Sequence, residues 1–246
     1  SLIIASLIAT LSLIIDAQSQ NDEETSAKEK LKTLGITLFT DKDTGSVTEV
    51  LGNGNKRVSD SDLKLISNFK EITDLSLERT QITDVGTHHL TGLKKLEWLN
   101  LYKTKIGNLG LEQLSKINSL KLLPIGTTLV TDRGLEHLRK MPQLEYLGLR
   151  GNPITDRGLI HINALTNLKG LNLGETRITN EGIKEISKLK NLEDLWLQET
   201  SVSDESIIEL LKLRKLRSLD LRNTQFSDSG IEELKKALPN CSLKFE

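Results

Sequence analysis

Residues 176–197 read TRITNEGIKEISKLKNLEDLWL: a polar opening, apolar residues at helical spacing, then leucines in alternation. The closing pattern LxxLxL starts at Leu192. It starts again at Leu96, Leu120, Leu144, Leu168 and Leu216, and Ile72 opens an earlier copy, so the interval is 24 residues throughout. A fixed period of this length marks a unit that cannot bury its apolar face alone and must stack on copies of itself. The period extends over residues 53–240, beginning with a degenerate turn that keeps Val58, Asp60, Leu63, Ile66 and Phe69.

Within each turn the residue types follow strand and helix rules in succession. Alternation in LxxLxL points the leucines inward and turns the third, fifth and seventh positions to the opposite, concave face. The ninth position is Thr80, Thr104, Thr128, Asn152, Thr176, Thr200 and Thr224, a column able to satisfy backbone groups as the chain leaves the strand. A Thr-Asp pair follows, as in Thr83-Asp84, Thr131-Asp132, Thr155-Asp156, Ser203-Asp204 and Ser227-Asp228. Set directly before GLxxLxxL, these residues read as N-caps of short convex helices. Two residues after the Asp stand Gly86, Gly110, Gly134, Gly158, Gly182 and Gly230, which let each helix pack close to its neighbour.

The unit TxITDxGLxxLxxLxxLxxLxL, with 176–197 as its example, resembles the leucine-rich repeats of bacterial, notably planctomycete-type, secreted proteins. It also resembles the strand-and-helix repeats of ribonuclease inhibitor and of F-box ubiquitin-ligase adaptors. The resemblance implies an α/β fold, a right-handed leucine-rich repeat solenoid (horseshoe) with a parallel concave sheet and short convex helices. For function it implies recognition of a protein or peptide, with no single ligand specified. An F-box-like substrate adaptor is the alternative, and it would need an adaptor-binding helical domain that residues 20–45 are too few to supply.

The ends differ from the repeats. Residues 1–15 carry no charge and are rich in Leu, Ile, Ala and Ser, and small residues follow at Ala17 and Ser19. Residues 1–19 therefore read as a secretory signal peptide whose true start lies upstream of Ser1, the alternative being an uncleaved membrane anchor. Secreted or periplasmic location follows from the first reading, and membrane association only from the second. Residues 20–25 (QNDEET) read as a disordered spacer. Residues 26–52 read as an N-terminal cap, a helix ending at Gly35 and then a hairpin around DKDTG, and residues 241–246 as a closing strand. The single cysteine, Cys241, excludes an internal disulfide, and caps without paired cysteines favour a bacterial over an animal source. In an animal source the Asn240-Cys241-Ser242 sequon would become relevant.

Composition narrows the function classes. Lys plus Arg number 33 and Asp plus Glu 34, interleaved along the chain, so no polybasic block awaits a phosphate backbone and nucleic acid is not expected. HExxH, GxSxG and the P-loop are absent from the sequence, and no enzyme activity or cofactor is expected. His89, His137 and His161 share one repeat position with Gln113. Helices about 10 Å apart hold successive imidazoles too far apart to share a zinc, so this column reads as surface and no metal is expected.

The concave positions stop repeating. They carry Trp98, Asn100, Tyr102, Leu122, Tyr146, Arg150, Asp194, Trp196, Asp220 and Arg222. Both Trp and both Tyr of the chain fall here, while all four Phe lie elsewhere. A general strand preference of aromatics would have placed Phe among them too; Trp and Tyr are the residues of binding hot spots. Trp98, Leu122 and Tyr146 form one expected column, with Gly170 and Gly174 leaving a notch beside Trp196. A protein or peptide ligand is the expected partner, with self-association through the same face as the variant.

Overall fold

Three residues of each LxxLxL segment are enough to make a strand, because the next turn supplies hydrogen-bond partners along its whole length. The computed structural model describes residues 2–245. A long helix α1 (Leu2–Thr33) leads into a hairpin of β1 (Thr37–Thr40) and β2 (Val47–Leu51), followed by α2 (Asp60–Ile66). The strands of the repeats are β3 (Asp74–Ser76), β4 (Trp98–Asn100), β5 (Leu122–Pro124), β6 (Tyr146–Gly148), β7 (Gly170–Asn172), β8 (Asp194–Trp196) and β9 (Ser218–Asp220). β10 (Ser242–Lys244) pairs with β9 at the far end. The sheet is ten-stranded and in strict chain order, antiparallel between β1 and β2 and parallel from β2 onward. It is open rather than closed. Opposite it lie short helices, among them α3 (Asn108–Leu114), α4 (Asp156–Leu159), α5 (Asn180–Ile186), α6 (Ile207–Leu210) and α7 (Asp228–Ala237), with 3-10 helices Gly86–Gly92 and Gly134–Lys140 in two other turns.

Between sheet and helices runs one aliphatic core. Leu75, Leu99, Leu123, Leu147, Leu171, Leu195 and Leu219 form one fully buried row, one residue per turn. Parallel rows of leucine and isoleucine fill the remaining space.

Residues 20–25 are helical instead of irregular, part of α1. Downstream the chain is rich in Glu, Lys and Ala, good helix formers, and Lys28 pairs with Glu24 at 2.9 Å across one turn. Ala27 and Leu31, also one turn apart, are buried in the core, which fixes this end of the helix on the first repeat. Gly35, at φ +83°, closes α1, and Asn55 and Arg57 both donate to the Leu34 carbonyl at 2.6 Å. Among the described residues no helix is long and apolar enough to cross a membrane.

The Thr-Asp column divides its labour differently from simple capping. The Thr or Ser caps its own helix: Thr155 accepts from the Arg157 N–H, Thr179 from that of Glu181 and Ser227 from that of Gly230. The Asp instead reaches across to the next turn. Asp132 accepts from the Thr155 N–H at 2.7 Å and from its hydroxyl, and Asp60 and Asp156 do the same to Thr83 and Thr179. Asn108 and Asn180 fill the role with an amide, accepting from the Thr131 and Ser203 N–H groups and donating to their hydroxyls. This ladder accounts for the glycine column. A Cβ on Gly158 would stand 2.5 Å from Asp132 Oδ1, and one on Gly134 2.5 Å from Asn108 Oδ1.

The ninth-position threonines mostly serve their own turn, donating to the carbonyl three residues back, as Thr104 does to Leu101 at 2.7 Å. Asn152 bridges turns, accepting from the Thr128 N–H at 2.8 Å and donating to the Ile125 carbonyl at 3.0 Å. The eighth position is left-handed: Arg79, Lys103, Thr127, Glu175, Glu199 and Asn223 have φ of +50° to +59°, and Gly151 +70°. This kink turns the chain toward the convex side while its N–H stays on the sheet ladder, as Arg79 donates to the Tyr102 carbonyl.

Candidate functional site

The parallel register brings the concave residues together as columns. Trp98 stands opposite Leu122, and Leu122 opposite Tyr146, on three adjacent strands. Leu122 is 38% exposed; Trp98, Tyr102 and Tyr146 are half-buried. The Tyr146 ring meets Trp196 edge to face, 6.1 Å between centroids at 75°. Trp98, Leu122, Tyr146 and Trp196 thus span β4 to β8 as a broken aromatic band.

The glycines are seats, not a notch. A Cβ on Gly170 would lie 2.7 Å from Tyr146 Cδ2, so the Tyr146 ring already fills the space over that strand. Gly174 is covered by the Gln198 side chain, and a Cβ on Gly126 would meet Tyr102 Cδ2 at 3.1 Å. The surface between Tyr146 and Trp196 is consequently closed.

Electrostatic partners inside the protein claim several of the polar candidates. Asp220 is 1% exposed and is held by Arg222, which donates at 2.6 Å and 2.9 Å. Burial pushes the Asp220 carboxyl up, but the side-chain and backbone hydrogen bonds from Arg222 outweigh it and leave the group below the usual carboxylate range. Asp220 therefore presents no face to a partner, contrary to the expectation from its concave position. Arg150 is bound by Glu175, donating from Nε at 2.7 Å. Asn100 accepts from the Tyr102 N–H at 3.0 Å, an Asx turn that ends the strand. Asp194 remains half-buried on β8.

The sequence places Gln198 at an outward concave position but shows neither its packing over Gly174 nor the pairing of Glu175 with Arg150. Glu175 follows Arg150 by one turn plus one residue, a diagonal that comparing single columns passes over. Gln198 Oε1 is buried and, among the described residues, has no hydrogen-bond partner. The histidine column is split between partners: His89 packs against His88 at 3.8 Å and His137 lies 3.7 Å from Glu136. Burial first, then His88 and Lys64, hold His89 below its ordinary value. In the C-terminal segment burial, then Asp194, pushes the Cys241 thiol up to about 11, far from a reactive thiolate.

Comparison with known proteins agrees with this geometry. The family described as Leucine Rich repeat matches residues 140–162, 164–187 and 212–235. Among solved structures, internalin C2 from Listeria monocytogenes is similar at TM-score 0.64 and 22% identity, over 81% of each chain. The ectodomain of the Arabidopsis receptor kinase HAESA, solved with a peptide hormone ligand, is similar at TM-score 0.69 and 19% identity, over 93% of this chain and 41% of that one. The ectodomain of the Arabidopsis receptor kinase GASSHO1, in complex with Casparian strip integrity factor 2, gives 0.56 and 18%, over 85% of this chain and 25% of that one. This chain thus spans most of the internalin but less than half of either receptor ectodomain. No curated protein matches it in sequence. A strict 24-residue period, one strand and one convex helical segment per turn, the matched repeats and the solenoid neighbours converge: the chain is a leucine-rich repeat protein.

Proposed function

We propose that the protein is a non-enzymatic recognition module that binds a protein or peptide across its concave sheet. The observation that carries this reading is the in-register column Trp98, Leu122 and Tyr146, extended to Trp196 by the edge-to-face contact. Exposed apolar clusters with a polar rim mark contact surfaces, and Trp and Tyr supply large rigid area with a polar handle. Tyr102 and Asn100 border the column on its own turn, and Asp194, Arg150 and Arg222 orient the partner from the rim. The solenoid neighbours support the class of ligand, since two of them were solved with bound partners, one of these a peptide hormone. Export to a secreted or periplasmic location, through the apolar stretch of residues 1–15, belongs to the same reading.

The test is a pull-down from native extract comparing wild type with Trp98→Ala plus Tyr146→Ala. Each truncation is expected to cost about 2 kcal/mol of binding if the column is the hot spot, enough together to abolish capture. Equal capture of every specific partner by both proteins refutes the concave reading.

A further inference from the structure

On the flank where strands exit toward the convex helices, three large apolar side chains stand in solvent on adjacent turns. Val85 is 71% exposed, Leu109 66% and Leu129 63%. Val85 and Leu109 occupy the same position of successive turns; the other turns place Arg133, Arg157, Glu181, Glu205 and Ser229 there. Leu129 belongs to the third turn. Its N–H donates to the Ile106 carbonyl at 2.8 Å, and its Cβ lies 3.7 Å from where Gly107 would carry one, so it lies beside the start of α3 that bears Leu109. Neither packing of the core nor the repeat pattern calls for these residues.

The exposed cations around the patch have no ion-pair partners. Lys105, Arg133 and Arg157 are exposed on the same flank and, among the described residues, none lies within 4.0 Å of a carboxylate. Lys103 rests over the Tyr102 ring at 5.2 Å, joining the patch to the concave face. The flank's own acids, Asp84 and Asp132, are engaged on the Gly107 and Thr155 N–H groups. The opposite flank shows what balance looks like here: Lys121 pairs with Glu97 at 2.8 Å, Lys169 with Glu145 at 2.6 Å and Arg217 with Glu193 at 3.4 Å.

We infer that this flank is a second docking surface, taking an acidic, amphipathic protein segment whose apolar side chains cover Val85, Leu109 and Leu129 while its carboxylates meet Lys105, Arg133 and Arg157. An apolar center with a rim of unpaired cations complements that chemistry on both counts. The assignment is independent of the concave reading, since it rests on different residues.

The experiment measures fluorescence anisotropy of a labelled peptide of alternating Glu and Leu, with the Lys-Leu peptide as its counterpart. Wild type binds the acidic peptide about tenfold or more tightly than the basic one, and added salt weakens the complex. Lys105→Glu plus Arg133→Glu, and separately Leu109→Ser plus Leu129→Ser, each lower affinity about tenfold; the sites are exposed, so the fold is kept. Trp98→Ala plus Tyr146→Ala leaves this binding unchanged, which separates the flank from the concave face. Three results overturn the assignment: equal binding of the acidic peptide by the flank variants, capture of phosphatidylglycerol vesicles without capture of the peptide, or self-association of wild type that the flank variants abolish.

Discussion

Asp132 holds Thr155 of the next turn by two hydrogen bonds, one from its N–H at 2.7 Å and one from its hydroxyl. Because the carboxylate spans a turn boundary, Asp132→Ala removes a bond between repeats and leaves a part-buried N–H without a partner. The expected cost is about 2–3 kcal/mol by denaturant unfolding. Asp132→Asn should lose much less, since Asn108 and Asn180 perform the same task in their own turns. Gly158→Ala places a methyl against that carboxylate and 3.0 Å from the Asp132 Cα, so it is expected to destabilise by about 1–3 kcal/mol, although Gly to Ala inside a helix ordinarily helps. The two changes share one space, so the double variant should be less destabilised than their sum.

Gly107 occupies the capping position that Thr or Ser fills in the neighbouring turns, and it leaves Asp84 with only the backbone N–H to accept. Its backbone is extended, at φ −120°, so a side chain costs no backbone strain, and a Cβ there, 3.1 Å from Asp84 Oδ2, asks only for a small shift of that carboxylate. Gly107→Thr restores both the hydroxyl bridge to Asp84 and the N-cap of α3, with an expected gain of about 1 kcal/mol. A Tm equal to or below that of wild type would show that the missing hydroxyl is of no consequence.

Thr127 holds φ +50°, the region least suited to a branched side chain. Thr127→Asn keeps a polar side chain there and relieves the strain, so stability should rise by about 1 kcal/mol, read as an upward shift of Tm. The reverse change at a neighbouring turn, Gly151→Val, should lower Tm, because it creates the strain at φ +70° and drives the new Cβ to 2.9 Å from Thr127 Oγ1.

The Asp220–Arg222 pair gives the C-terminal turns a pH signature. The folded carboxyl lies below its ordinary value of 3.8, so its contribution is complete above that value and is lost as pH falls toward the folded one. Asp220→Asn should accordingly be less stable than wild type at neutral pH, with the two thermal unfolding curves converging as the solution is acidified below about pH 4. A constant gap through that range would remove the ion pair from the explanation.

The leucine rows and the strand-then-helix order were legible in the sequence because they depend on periodicity within one turn. The same holds for the Trp98, Leu122 and Tyr146 column, since a fixed period implies register. What escaped was set by relations between turns. Asp132 looks like a cap when one repeat is read alone; its partner Thr155 appears only when two are stacked. The left-handed column is hidden for another reason: Arg79, Lys103 and Glu199 have no intrinsic preference for positive φ, and the sheet ladder imposes it. The burial of Asp220 is not legible in the sequence, because alternation gives the direction of a side chain but not whether Arg222, two residues on, folds back over it.

The bridge from Asp or Asn to the following Thr or Ser makes a turn complementary to a copy of itself. Its hydroxyl residue answers the acceptor behind it and its own acceptor answers the hydroxyl ahead, so insertion or deletion of one whole 24-residue unit that carries both regenerates the bridge, the turn of Gly107 being the one that brings only its N–H. Length is thereby uncoupled from sequence identity: an array of such turns can be lengthened or shortened by whole units without redesigning this bridge, while the concave positions are free to diverge turn by turn.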